Sequence, residues 1–176
     1  MKKSKNERLK DMENNRFKAL FQNTQQGIVY IDKNNVIIDI NQTALDIIEE
    51  ESICVSKKYS DLNWTFIDEN NQTISMEELP FRKAIKTKKI QKASVYSIYK
   101  PTLKKYIWLK MEAIPYFSPE DREIIGVFCI FTDVTKEYVL NKEVNQQLEN
   151  FKTLGNNIPD MILRVDSNQN ILFANR

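Results

Sequence analysis

Residues 27–41 read GIVYIDKNNVIIDIN, and this stretch predicts how the fold begins. Residues 27–31 are rich in β-branched side chains, 32–35 have the composition of a tight turn, and 36–40 form a second apolar run. Asn41 then stands where a helix begins, since an asparagine side-chain oxygen accepts a free backbone N–H at a helix N-cap. The stretch therefore predicts a β-hairpin that leads directly into a helix.

The rest of the first 135 residues predicts further helices and then three longer strands. A helix is expected over 5–26, and another over 80–88 because proline is favoured in the first helical turn. The three strands are expected at 92–100, 106–114 and 123–132. Two strands, several helices and three strands in this order are typical of an α+β fold, with one antiparallel sheet and the helices on one face.

The strand at 106–114 alternates between apolar and mixed side chains, which predicts its two faces. The apolar face consists of Ile107, Leu109, Met111 and Ala113. The opposite face carries Tyr106, Trp108, Lys110 and Glu112.

The end of the chain repeats its first third. When the sequence is shifted by 134 residues, positions 17–42 align with 151–176 without a gap, and nine of the 26 aligned pairs are identical. Asp32 falls on Asp166, Asn34 on Asn168, and the apolar alternation agrees as well. We therefore expect one complete unit, a connector, and the opening of a second unit.

The connector at 136–152 predicts an amphipathic helix. It has no glycine or proline, and its apolar residues fall three or four positions apart, as in a short coiled coil. A helix packed on its own domain is the alternative interpretation. The position between the two copies favours a connecting rod.

Composition excludes several classes of protein. Of the 176 residues, 41% are hydrophobic and 28% charged, which indicates a globular chain, and the longest apolar run is too short to span a bilayer. No histidine is present, which excludes Ser-His-Asp triads, His-ligated haem and the usual zinc sites. The net charge of +2 is too small to indicate nucleic-acid binding, and the two cysteines fit a reducing cytoplasm.

Four stretches together resemble the PAS domain, a sensory module of bacterial and archaeal signalling proteins. Residues 17–32 are similar to its first helix and strand, and 36–44 to its second strand and the asparagine that opens the next helix. Residues 78–85 contain a Pro-x-x-x-Ala segment of one PAS subgroup, and 126–135 end in Asp-Val-Thr, a variant of the family's Asp-Ile-Thr signature.

The resemblance implies a domain organisation and a function. It implies a five-stranded antiparallel sheet with helices on one face, divided into an N-terminal flanking helix at 1–15, a PAS domain at 16–135, a linker helix at 136–152 and a truncated second PAS domain at 153–176. Such domains sense a ligand or partner and act on a downstream output domain, for which a histidine kinase is the expected candidate. Neither catalysis nor a membrane span is expected in this segment.

The inner face of the sheet is the candidate ligand site. A pocket there would be lined by strand residues, with either Ile28 or Val29 contributed by the first strand, and by helix residues; the same side chains could equally form a solid core. The candidate lining residues are Ile28, Ile47, Ile48, Ile85, Leu109, Met111 and Ala113.

The sequence does not contain the motifs with which related domains bind their cofactors. Haem needs a histidine, the flavin photosensor motif Asn-Cys-Arg-Phe-Leu is not matched around Cys54, and the His and Arg set of citrate sites is incomplete. Cys54 and Cys129 are interpreted as small apolar side chains rather than reactive thiols. The remaining possibilities for this site are a small or apolar ligand, or no ligand.

The aromatic face of the strand predicts a covered surface. Exposed aromatic side chains such as Tyr106 and Trp108 are costly unless the helix that ends near Phe21 or a second subunit covers them. We expect a parallel homodimer, with cover by the same chain as the alternative. Leu9 and Met12 complete this candidate dimer face.

The junction of Asp133, Val134 and Thr135 is the candidate signal-coupling site. Asp133 stands where the last strand passes into the connecting helix, and a carboxylate there can bind free N–H groups and interact favourably with the helix dipole. An ordinary cap without a signalling role is the alternative. For the whole module, the alternative to a sensory function is a dimerisation scaffold that binds no ligand.

Overall fold

The computed structural model describes residues 5–48, 55–58, 64–100, 104–157 and 163–174, and the chain divides into two compact units. The first unit, Met1–Val134, contains a six-stranded antiparallel sheet, and the second, Thr135–Arg176, contains a helix and a two-stranded hairpin. None of the helices in the described ranges is long and apolar enough to cross a bilayer.

The elements follow the predicted order. In the first unit they are α1 (Lys5–Asn23), β1 (Gly27–Asp32), β2 (Ile37–Ile40), α2 (Gln42–Ile48), β3 (Phe66–Ile67), α3 (Pro80–Thr87), β4 (Gln91–Lys100), β5 (Lys105–Phe117) and β6 (Ile124–Asp133). In the second unit they are α4 (Thr135–Asn157), β7 (Leu163–Val165) and β8 (Ile171–Ala174). The predicted α+β class is therefore confirmed.

The sheet has the strand order β2-β1-β6-β5-β4-β3, so the last long strand, β6, lies between the first and β5. The five strands expected from the sequence are all present. The two-residue strand β3, which pairs with β4, is an addition that the polar stretch around it did not predict.

The inner face of the sheet forms the core. The alternation in β5 is confirmed, because Ile107, Leu109, Met111 and Ala113 are all buried. Helix α3 packs against β5 and β6, and α2 packs against β1. Within α3 the side chains of Phe81 and Ala84 are fully buried, and Pro80 occupies the first turn, as predicted.

One kind of turn is used three times. In the turns that start at Asp32, Asp68 and Asp166, one carboxylate oxygen accepts the backbone N–H groups of the residues two and four positions later, at 2.8 to 2.9 Å. The residue three positions later has a left-handed backbone in each, with φ of 65°, 61° and 67°. An aspartate thus holds each turn by local hydrogen bonds.

The hairpins β1–β2 and β7–β8 have the same register. Val29 pairs with Ile40 in the first hairpin, and Leu163 pairs with Ala174 in the second, each partner being shifted by 134 residues. The irregularity in the pairing also falls at equivalent positions, after Tyr30 and after Arg164. The identity of the second hairpin as the opening of another domain stays a prediction.

Candidate functional site

The predicted coupling junction lies at the end of the last strand of the sheet. Strand β6 ends at Asp133 and α4 begins at Thr135, so a single residue separates them. The backbone N–H of that residue, Val134, donates to the carbonyl oxygen of Trp108 at 2.8 Å, which ties the junction to β5. The predicted exit of the helix from the final strand is therefore confirmed, whereas the capping role of Asp133 stays a prediction.

Asn41 joins three backbone segments at the start of the domain, namely the end of α1, the beginning of β1 and the first turn of α2. Its Oδ1 accepts the N–H of Ile28 at 2.8 Å and that of Ala44 at 2.9 Å, while its Nδ2 donates to the carbonyl oxygens of Phe21 and Gln26, both at 2.9 Å. The side chain is fully buried. Its predicted N-cap role is confirmed, and these four bonds match the bonding capacity of the amide, so a ligand contact is not needed to explain the residue.

The inner face of the sheet is nearly solid in the described part of the chain. A cavity of about 10 Å³ is left there, which is close to the minimum for one water molecule. Its lining residues are Val29, Ile48, Trp64, Ile98, Leu109, Met111, Cys129 and Phe131. An organic ligand would have to displace these side chains.

A larger crevice lies on the opposite, outer face of the sheet. Its volume is about 400 Å³, and it separates the last turns of α1 from the sheet. It is lined by five aromatic side chains and one carboxylate: Phe17, Phe21, Tyr30, Asp39, Tyr116 and Phe128.

The sheet side of the crevice is a cluster of three rings. The ring of Tyr30 stacks on that of Phe128, with 4.8 Å between centroids, and Tyr116 meets both edge-on at 6.3 and 5.8 Å. A Cβ on Gly126 would lie 2.7 Å from the Tyr30 ring, so this glycine is what allows the ring to lie on the β6 backbone. Burial, together with the charge interactions of Tyr116 and Asp32, raises the pKa of Tyr30 and keeps its hydroxyl neutral.

Comparison with family profiles gives a match over part of the first unit. A family profile described as PAS domain matches residues 15–83. The chain contains a PAS domain. Comparison with curated protein sequences gives no match.

Solved structures agree on the fold. The PAS domain of a Colwellia psychrerythraea protein is 16% identical with a TM-score of 0.54, and the match covers 72% of this chain and 99% of that one. The PAS domain of an HTR-like protein from Haloarcula marismortui is 13% identical with a TM-score of 0.52, covering 74% and 99%. A light-oxygen-voltage domain studied with a flavin analogue is 18% identical with a TM-score of 0.53, covering 79% and 98%.

The structure corrects one candidate for the inner pocket of the PAS domain. Ile28 points to the outer face, because Val29 and Ile31 are the buried residues of β1 and side chains alternate along a strand. Of the other candidates, Ile48, Leu109 and Met111 line the small inner cavity. Ala113 is fully buried, while Ile47 and Ile85 pack on the core from partly buried positions.

The candidate dimer face of the PAS domain also needs a correction. Trp108 is only 8% exposed, so it is already covered within the chain, whereas Tyr106 is 45% exposed and packs on Tyr99 with centroids 5.0 Å apart. The aromatic residues of α1 face Tyr116 instead, which lies ten residues further along β5, about 33 Å from Tyr106 at the usual rise of a strand. Met12 on α1 is exposed. Leu9 lies in the same helix, but its side chain is not among those that the structure describes.

The described cysteine of the PAS domain is a core residue. Burial raises the pKa of the Cys129 thiol to about 12, which keeps it protonated and unreactive at neutral pH. The interpretation as a small apolar side chain is confirmed for Cys129, while Cys54 lies outside the described residues. In the described ranges no three His, Cys, Asp or Glu side chains are grouped so that they could hold a metal ion.

Proposed function

We propose that this chain is a sensory input module whose PAS domain acts on a downstream output domain through α4. The supporting observation is the junction, where one residue separates a central strand of the sheet from a helix of 23 residues. A histidine kinase in the parent protein is the output that we propose, and catalysis is assigned to that output rather than to this segment. The cytoplasmic location expected from cysteine usage is part of the proposal.

The Val134 hydrogen bond suggests how a signal leaves the sheet. Strand β6 lies between β1 and β5, so a change in the packing of either neighbour changes the position of its end. Because the N–H of Val134 binds the carbonyl of Trp108 in β5, the helix starts from a point that both strands determine. Breaking that bond would free the helix start from β5 without removing any side chain from the core.

Helix α4 carries an exposed apolar stripe that fits a second copy of the same helix. Five exposed apolar residues recur every three or four positions, namely Leu140, Val144, Leu148, Phe151 and Leu154, and Val139 lies beside the first of them; all six are at least 43% exposed. A helix with such a stripe gains stability when an equivalent stripe covers it. We therefore propose that α4 pairs with its counterpart in a parallel homodimer.

The coupling is tested by Val134→Pro in the full-length parent protein. Proline removes the N–H donor but is tolerated at the beginning of a helix, while the control Val134→Ala shortens the side chain and keeps the donor. We expect Val134→Pro, Asp133→Ala and Thr135→Ala to alter the control of output while the PAS domain stays folded. Normal control in all three variants would overturn the proposal.

A ligand-free dimerisation scaffold is the second candidate, and the small inner cavity favours it. Native mass spectrometry of the purified chain separates the two candidates, because a co-purified small molecule supports sensing. In a scaffold, Leu148→Glu abolishes the dimer while Val134→Pro leaves output unchanged. The control Gln146→Glu puts the same charge on the opposite side of α4 and leaves the dimer intact.

A further inference from the structure

The crevice between α1 and the outer face of the sheet combines two features that recognise one class of ligand. Five of its six lining residues are aromatic, and the sixth is a carboxylate. We propose that it binds a small organic cation with a substituted ammonium group. This site is separate from the inner face of the sheet and does not depend on the signalling route through α4.

The aromatic walls supply attraction for a cation. The faces of aromatic rings carry partial negative charge, so a cation within about 6 Å of a ring centroid is attracted to it. The rings lie on two sides of the crevice: Tyr30, Tyr116 and Phe128 on the sheet, and Phe17 with Phe21, whose centroids are 6.0 Å apart, on α1. A ligand between them is in contact with rings on both sides.

Asp39 supplies the opposite charge. It is the cross-strand partner of Tyr30 in the β1–β2 pair, which places both side chains on the outer face. Its Oδ1 accepts the backbone N–H of Ile40 at 2.9 Å, which orients the carboxylate at the edge of the crevice. The chain as a whole carries a net charge of +2, so attraction for a cation comes from this local carboxylate and the rings.

The chemistry of the lining selects among ligands. A strongly hydrated metal ion would lose its water against aromatic carbon without enough oxygen ligands in return. A neutral apolar compound would gain only the packing against the rings, because it has no charge to pair with the Asp39 carboxylate. A substituted ammonium ion fits both the rings and the carboxylate, because its alkyl groups pack on the rings and its charge pairs with Asp39. The volume of about 400 Å³ lies in the range of small-molecule sites.

The test compares choline with its neutral carbon isostere, 3,3-dimethylbutan-1-ol, by NMR titration of the 176-residue chain. The two have nearly the same shape and differ in charge. We expect choline to bind at least about fivefold more tightly, with saturable shifts of the Tyr30, Tyr116 and Phe128 ring signals. Equal binding of both compounds, or shifts spread over the whole surface, would overturn the proposal.

Variants locate the interaction in the crevice. Asp39→Asn should weaken choline binding while leaving that of the isostere unchanged, and Asp46→Asn, which removes the same charge from α2, should have no effect. Tyr116→Leu should abolish the preference for choline, whereas Tyr116→Phe keeps the ring and should retain it. Equal weakening by Asp39→Asn and Asp46→Asn would mean a general charge effect and no site. A third outcome would also overturn the proposal. If neither compound binds, and the chain is a dimer that Phe17→Ala dissociates, then the crevice is occupied by a second copy of the chain.

Discussion

The two hairpins of this chain have the same local structure and opposite surroundings. Both are closed by an aspartate turn, and their strands pair in equivalent registers. In the first hairpin, however, Ile31 is fully buried and Ile37 is 1% exposed, whereas their counterparts Val165 and Ile171 are 53% and 64% exposed. The local sequence is thus sufficient for the shape of the hairpin but not for a core.

The difference comes from elements that lie far away in the sequence. Strand β1 pairs with β6, which begins more than ninety residues later, and α2 packs on it from the inner side. The described part of the second unit offers only α4 and the hairpin itself. Burial of the apolar face therefore depends on strands and helices that the described part of the second unit does not contain.

The largest expected difference between the hairpins is in the cost of removing a core side chain. Ile31→Ala should lower the free energy of unfolding by about 2–5 kcal/mol, because it leaves a cavity in a close-packed core. Val165→Ala at the equivalent exposed position should change it by less than about 0.5 kcal/mol. Urea unfolding measures both losses when tryptophan fluorescence follows the first unit, which contains Trp64 and Trp108, and amide hydrogen exchange of β7 and β8 follows the second. Equal losses would mean that the second hairpin is buried in an assembly.

Asn41 should show the next largest effect. Asn41→Ala removes four hydrogen bonds to buried or partly buried backbone groups, which should cost about 3 kcal/mol. The control Asn34→Ala, in the exposed turn of the same hairpin, should cost less than about 0.5 kcal/mol. Thermal unfolding by circular dichroism measures both variants. A loss at Asn41 no larger than at Asn34 would contradict the role of Asn41 in joining α1, β1 and α2.

The left-handed turn residues should respond in opposite directions. Gln169→Gly should stabilise the second hairpin by up to about 1 kcal/mol, because glycine adopts a φ of 67° without strain. Asn35→Gly should instead destabilise the first hairpin, because asparagine already tolerates this conformation and the substitution removes the 2.7 Å bond that Asn35 accepts from Arg82. Amide hydrogen exchange across both hairpins gives the measurement. Increased protection of the first hairpin by Asn35→Gly would show that the Arg82 bond contributes nothing.

The smallest effect concerns the pH dependence of the second turn. Hydrogen bonds donated by the side chain and backbone of Asn170 hold the pKa of Asp166 below its ordinary value of 3.8. A carboxyl group with a lowered pKa stabilises the folded turn above its unfolded pKa, and this contribution is lost as the pH falls through the folded value. NMR titration of the Asp166 carboxyl carbon measures the pKa. Asn170→Ala should raise it towards 3.8, and an unchanged value would contradict this explanation.

Several features could be predicted because they depend on neighbouring residues. The Asp32 turn, the Asn41 cap and the proline at the start of α3 follow from side-chain chemistry within a few positions. The inner face of β5 follows from the apolar residue at every second position along one strand. The PAS resemblance added the arrangement of these elements, which the structure confirms.

Other features could not be predicted because they depend on what covers a residue. The run around Ile28 and Val29 is apolar at every position, so alternation does not show which of the two faces the core. Trp108 lies on the outer face, as its strand position predicts, yet it is buried. The crevice forms because α1 brings Phe17 and Phe21 opposite Tyr116, about a hundred residues later in the chain.

The sequence by itself determined five of the six strands of the sheet, the turn at Asp32, the cap at Asn41 and the site at which α4 follows β6. Each of these depends on backbone hydrogen bonds and side-chain periodicity over a few residues. The tertiary structure alone decided which face of β1 is buried, how little space is left inside the sheet, and where the aromatic crevice opens. Those features depend on close packing between segments that are distant in the chain, and a local pattern contains no information about which distant surface will cover it.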